Sequence, residues 1–195
     1  MSSIKHSITR SFIIIPLVAT TLSMSAFTAA INTAVTPTLS QDQQSAAAAE
    51  PASDVALLQK EREEKAAKID AYFEKNGMPL AGYGMKMVTE AELHDIDWRL
   101  IPAIAIREST GGLHQCKSVT YSPFGFGSCR INFKSYDHAI EIVATNLGGD
   151  NPKTARHYEG KSTKAILQAY NPPSVVPTYA NEVMSLMTKI DNTKV

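Results

Sequence analysis

The segment Ile96–Gly112, IDWRLIPAIAIRESTGG, constrains the fold most strongly, because it closes an apolar helical stripe with a single acid. Ile101, Ile104, Ala105 and Glu108 stand at i, i+3, i+4 and i+7, so one helix places all four on one face. Other elements must cover that face, and Glu108 continues it. Gly111-Gly112 follow at once, a helix stop where a residue with positive φ is needed. A carboxyl at this end meets an apolar wall and the negative end of the helix dipole, and both disfavour its ionised form. A glutamic acid kept protonated near neutral pH can serve as a general acid. A plainer role is also open: an ion pair with Arg107 or Arg99, or simple solvation. Asp97 is a possible N-cap. Pro102 requires either that the regular helix begin near Ile101 or that its first turn be irregular.

The rest of the chain must supply the cover. Its 195 residues allow one ordinary domain plus an extension, and a hydrophobic content of 44% against 19% charged suits a real core. Basic and acidic residues balance at 19 each. Without Met1–Ala30, which holds Lys5 and Arg10 and no acid, the balance is 17 against 19. A neutral-to-acidic product argues against nucleic acid as partner and leaves recognition to a shaped cleft.

Lys5, His6 and Arg10 precede the uncharged stretch Phe12–Ala30, which reads as an export signal (residues 1–30) with small residues Thr28-Ala29-Ala30 for cleavage. The uncharged run continues to about Thr36, enough for a spanning helix of ~20 residues. Its many Ser and Thr residues make it a poor one, so a cleaved signal is preferred to an anchor or membrane tether. Either reading places the remainder outside the cytoplasm. Residues 31–53, rich in Gln, Ser, Ala and Pro, read as a flexible linker.

A leading helix is expected over 54–76, with Ser53 as N-cap and Leu58, Ala66, Ile69, Tyr72 and Phe73 inward. Its Lys60–Lys65 charge run is a solvated face. A second helix spans roughly Gly84–His94 on Met87, Val88 and Ala91, with Met85 and Met87 as core filler. Ser135 caps a helix that buries Tyr136, Ala139, Ile140, Val143 and Leu147. A short helical turn follows at Lys153–Tyr158. Ser162–Tyr170 is another helix, with Ala165, Ile166 and Ala169 inward. A last helix runs from about Pro177 to Ile190, with Tyr179, Val183, Met187 and Ile190 inward. The domain is therefore mainly α, with one small β-hairpin or turn region.

That region is Tyr121–Phe133. Cys116 and Cys129 are the only cysteines, and in an exported chain they most simply form one disulfide. With His114 they make at most three metal ligands, so no metal site is expected. Gly125 and Gly127 allow close backbone approach, while Phe124 and Phe126 offer flat apolar surface on which sugar rings can pack. Both Phe could instead anchor the core of a hairpin ending at Arg130–Phe133. The expectation is one in the core and one in a cleft.

Taken in order, AIAIREST-GG, Ser122-Pro123-Phe124-Gly125, Tyr170-Asn171 and Thr178-Tyr179-Ala180-Asn181-Glu182-Val183 resemble the lysozyme-like superfamily of peptidoglycan-cleaving enzymes. Within it the pattern looks closest to the bacterial glucosaminidase-type autolysins, also described as endo-β-N-acetylglucosaminidase-like domains. The Tyr170-Asn171 pair is also similar to goose-type lysozymes and soluble lytic transglycosylases. The resemblance covers roughly Ile69 to Ile190 and implies a lysozyme-like helical domain over 77–195. It implies that Glu108 protonates the glycosidic oxygen and that Tyr170 lies in the cleft as a second catalytic residue. Ser122, Phe124, Gly125, Phe126 and Asn171 would bind the sugar. No cofactor is implied, and a monomer acting on the glycan strand is expected.

Glycosidases usually pair their acid with a second carboxylate. Asp137, Glu141, Asp150 and Glu159 are available, and none stands in an assignable position. Hydrolysis of N-acetylglucosaminidase type is favoured by the Phe-Gly turn and the Tyr-Ala-x-x-Val ending. Lytic transglycosylase or goose-type muramidase activity remains the alternative, as does a non-catalytic glycan-binding envelope domain.

Overall fold

A computed structural model describes Glu50–Val195. The expected signal and most of the expected linker lie outside the described residues. Within them the chain forms seven α-helices and one short 3-10 turn, with no strand. None of these helices is long and apolar enough to cross a membrane.

The helices are α1 (Glu50–Lys75), α2 (Gly84–Leu93), α3 (Leu100–Ser109), α4 (Tyr136–Gly148), α5 (Ala155–Tyr158), α6 (Thr163–Tyr170) and α7 (Tyr179–Asp191). Helix α3 is the hub and packs against α2, α4 and α7. Its residues Leu100 through Ile106 are all buried, as the apolar stripe requires. Pro102 is the third residue of the helix. Its missing N–H falls among the first-turn groups that have no intrahelical acceptor, and the ladder starts with Ala103 donating to Arg99 O at 3.1 Å. Asp97 stands two residues ahead of the cap position Arg99, where its Oδ1 accepts from the Arg99 N–H at 2.9 Å.

Helix α1 starts earlier than expected. It begins at Glu50, so Ser53 lies inside its first turn and is not its N-cap. Pro51 is tolerated at this end, and Ala and Glu are strong helix formers. Ala66, Ile69 and Phe73 are buried, but Leu58 is 55% exposed and does not belong to the core. The reason is the span of the neighbouring helix. Helix α2 runs antiparallel to α1, from Gly84 beside Ala66 and Asp70 to Glu92 paired with Arg62 at 2.5 Å. Residues 53–61 of α1 extend past that contact and are exposed. Gly84 permits the crossing: a Cβ there would lie 2.4 Å from the Ala66 carbonyl oxygen. Met87 fills the core while Met85 stays at the surface.

The segment between α3 and α4 carries a 3-10 turn, Phe126–Cys129, where a hairpin was expected. Tyr121, Gly125, Gly127, Ser128 and Cys129 have φ between 49° and 66°. Left-handed residues cannot extend a strand, so the chain coils instead. Thr120 closes the loop, donating its N–H to Asn132 Oδ1 at 3.0 Å and accepting from the Phe133 N–H at 3.1 Å. Cys116 and Cys129 form the disulfide.

The remaining helices follow their caps. Ser135 accepts from the His138 N–H at 3.1 Å and Ser162 from the Ala165 N–H at 3.4 Å. In α6 the buried pair is Ile166 and Leu167, with Ala165 and Ala169 only half-buried. Helix α7 starts at Tyr179, two residues past Pro177, and buries Tyr179, Ala180, Val183, Met187 and Ile190.

Candidate active site

Glu108 lies in the last turn of α3, half-buried, where three elements meet. From α7, Tyr179 donates its hydroxyl to Glu108 Oε1 at 2.7 Å. From the turn ahead of the 3-10 segment, Gly125 approaches the other carboxylate oxygen. A Cβ on Gly125 would lie 2.7 Å from Glu108 Oε2, and Gly125 also sits at φ 61°. Glycine is thus required twice at this position, by contact and by backbone.

The plain ion-pair reading of Glu108 does not hold among the described residues. Arg107 donates to Glu182 Oε2 at 2.6 Å, and Arg99 pairs with Asp97 and Asp191. The Arg107 guanidinium instead lies over the Tyr179 ring, 5.6 Å from its centroid. Burial raises the Glu108 pKa above its ordinary value, only partly offset by the Tyr179 hydrogen bond and the Arg107 charge. No second carboxylate is among the groups that perturb it. The carboxyl is therefore held toward its neutral form by desolvation.

Tyr170 and Tyr179 form a stacked pair, with centroids 6.2 Å apart and planes 12° apart. Burial and the neighbouring Glu108 push both phenols well up, so each stays protonated as a hydrogen-bond donor. Tyr170 donates to the Phe124 carbonyl oxygen at 2.5 Å and not to Glu108. It positions the turn that carries Gly125. Phe126 packs near its ring at 6.4 Å. Phe126, Gly125, Tyr158 and Tyr170 line a cavity of about 230 Å³.

Ser109 ties this assembly together. Its hydroxyl donates to the Pro123 carbonyl at 2.6 Å and accepts from the Gly112 N–H at 2.8 Å, fully inside the protein. The turn before Gly125 is thereby fixed to the end of the helix that carries the acid.

The sequence-predicted residues divide accordingly. Glu108, Tyr170, Gly125 and Phe126 come together. Ser122 and Phe124 are 0% exposed and cannot present a side chain to a ligand, so the expectation that they bind sugar directly is corrected. Phe124 is the core member of the Phe pair and Phe126 the cavity member. Asn171 is half-buried with its Oδ1 shielded and without a partner among the described residues. It does not line the 230 Å³ cavity. Tyr179 is the residue that sequence reasoning placed only in the core. A phenol at an inward helical position needs a partner for its hydroxyl, and that was the available signal.

Among the described residues no group of three or more His, Cys, Asp or Glu is placed to hold a metal ion. Comparison with known protein families, curated proteins and solved structures gave no match.

Proposed function

We propose that the chain cleaves a β-1,4 bond of the peptidoglycan glycan strand, outside the cytoplasm, as a hydrolase of endo-β-N-acetylglucosaminidase type. The observation that carries this reading is the Glu108 carboxyl: half-buried, free of ion pairs among the described residues, and bonded to a neutral tyrosine. Burial without an ion pair disposes this carboxyl to hold a proton, as a general acid must. Because Oε1 accepts from Tyr179, Oε2, on the Gly125 side, is the oxygen left to carry the proton. Transfer from Oε2 to the glycosidic oxygen breaks its bond to the anomeric carbon, and water bonds to that carbon as the carboxylate left behind takes its proton. The cavity beside Phe126 and Tyr170 offers aromatic surface for a sugar ring. The Cys116–Cys129 disulfide supports an oxidising compartment.

One observation favours a second reading. With no second carboxylate acting on Glu108, the nucleophile in the first step can belong to the substrate itself. Attack by a substrate hydroxyl gives a lytic transglycosylase, and attack by the acetamido oxygen followed by water gives hydrolysis. Digestion of purified peptidoglycan by wild type and Glu108→Gln tests the proposal. The variant should lose on the order of 10²–10⁴ in rate while keeping its fold and wall binding. A wild type that binds wall glycan and releases no fragments points to a binding domain. Reducing ends on the products mean hydrolysis, and 1,6-anhydro ends mean the transglycosylase route.

A further inference from the structure

We propose that a cavity lined in part by Cys116 of the disulfide loop binds the carboxylate-bearing stem peptide of peptidoglycan, an assignment that rests on the glycan-cleaving reading above. The cavity has a volume of about 550 Å³ and is walled by residues between Leu113 and Tyr121 together with Tyr136 of α4. Cys116 is one of its lining residues, whereas Ser128, next to Cys129, lines the smaller cavity beside Tyr170. The two sites are thus joined through one disulfide.

The chemistry of the larger cavity is one-sided. Lys117 and His114 line it, and no Asp or Glu does. Lys117 is exposed and enters none of the ion pairs among the described residues. Leu113 and Tyr121 are large, apolar and exposed at its wall. Tyr121 meets Tyr136 edge to face at 5.2 Å, and Tyr83 holds the other side of Tyr136 at 5.5 Å, which makes that wall rigid. A complementary ligand carries a carboxylate on a short body of methyl and amide groups. An alanine-rich acidic peptide has all of these, whereas the N-acetyl groups of the glycan supply methyl and amide but no carboxylate to meet Lys117.

The wall of this cavity is also connected to the seat of the acid. Gln115 donates its Nε2 to the Tyr136 hydroxyl at 2.9 Å and accepts from the Ser122 N–H at 3.1 Å on Oε1. Ser122 opens the turn whose Pro123 carbonyl is held by Ser109 and whose Gly125 abuts Glu108. A peptide held at Gln115 and Lys117 therefore bears on the same turn that positions the catalytic carboxyl.

The test compares cleavage of wall glycan with its stem peptides and of the same glycan stripped of them by an amidase, with the freed lactyl carboxylates capped as methyl amides. A nuclear magnetic resonance titration with the synthetic N-acetylated tetrapeptide L-Ala-γ-D-Glu-L-Lys-D-Ala, whose blocked N-terminus leaves a net negative charge, accompanies it. KM should be about tenfold lower for the stem-bearing strand, the worth of one charge-assisted hydrogen bond. The tetrapeptide should shift amide signals of residues 113–121, and Lys117→Gln should remove both the KM difference and the shifts. Equal KM values with no shifts at 113–121 overturn the site and leave the glycan-cleaving reading intact. If neither strand is cleaved but the tetrapeptide shifts 113–121 and Lys117→Gln abolishes the shifts, the site stands and the glycan-cleaving reading falls.

Discussion

The Tyr179 hydroxyl donates to Glu108 Oε1 at 2.7 Å, and the two residues lie 71 positions apart in the chain. Arg107, the immediate neighbour of Glu108, turns to Glu182 instead and stacks over the Tyr179 ring. The acid is thus bonded to a neutral donor, with its nearest cation engaged elsewhere. This arrangement balances two demands. Burial biases the carboxyl toward its protonated form, and on the proposed reading the Tyr179 hydrogen bond stabilises the carboxylate left after proton transfer.

Tyr179→Phe isolates that hydrogen bond, because the stacked ring is retained. The hydroxyl favours the ionised carboxyl, so its loss should raise the Glu108 pKa further. A general acid works only while protonated, so the alkaline limb of the pH–rate profile should move to higher pH. Maximal rate should fall about tenfold as the carboxylate formed on proton transfer loses its donor. An alkaline limb that stays in place would show that this hydrogen bond does not set the ionisation of the acid.

The same burial predicts a pH dependence of stability. Glu108 has its pKa raised in the folded state above the ordinary 4.5, so between the two values the folded protein binds the extra proton. Its stabilising contribution is complete below about 4.5 and is lost as pH rises through the folded value. Glu108→Gln cannot ionise. The melting temperature of the variant relative to wild type should therefore increase as pH rises above 4.5. A difference that is constant with pH, or that falls, contradicts the buried neutral acid.

Helix α3 was legible because periodicity reports burial directly: every residue of its stripe is inside, and Glu108 ends it. The Ser135 and Ser162 caps were legible for a similar reason, since a cap is a local hydrogen bond between residues three apart. The start of α1 was not, because an Ala- and Glu-containing segment next to a linker has helical propensity without an apolar pattern to announce it. Nor was the left-handed run through Ser128 and Cys129, where neither residue type signals positive φ. The partner of Glu108 was illegible for a deeper reason. The pattern says that Tyr179 faces inward and that Glu108 faces inward, but only packing of α7 on α3 says that they meet.

Gly125→Ala should be more damaging to activity than to folding. The added methyl falls 2.7 Å from Glu108 Oε2 and forces a left-handed alanine at φ 61°. Backbone strain accounts for about 1–2 kcal/mol of stability. The larger effect is on the acid, whose proton-bearing oxygen must move, and a misplacement of about 1 Å costs on the order of 10² in rate. Thermal unfolding measured beside the cleavage rate separates the two. A variant with wild-type rate would show that the carboxyl does not work from this position.

Cys116→Ser with Cys129→Ser tests what holds the turn in place. The bridge spans a sequence separation of 13, and opening a loop of this size removes about 3 kcal/mol in the chain-entropy model. For a domain of this length that corresponds to a fall of roughly 6–12 °C in melting temperature. Activity should fall as well, and by more than the unfolded fraction explains. The 3-10 turn ends at Cys129, and Gly125, which seats Glu108, caps its other end. Ser109 would still hold the Pro123 carbonyl, so the turn should loosen from its Cys129 side and leave α3 intact. Loss of amide protection confined to residues 125–133, with protection in α3 unchanged, is the expected pattern by hydrogen exchange. Uniform loss across the domain would mean that the disulfide acts on global stability alone and that the seat of the acid does not depend on it.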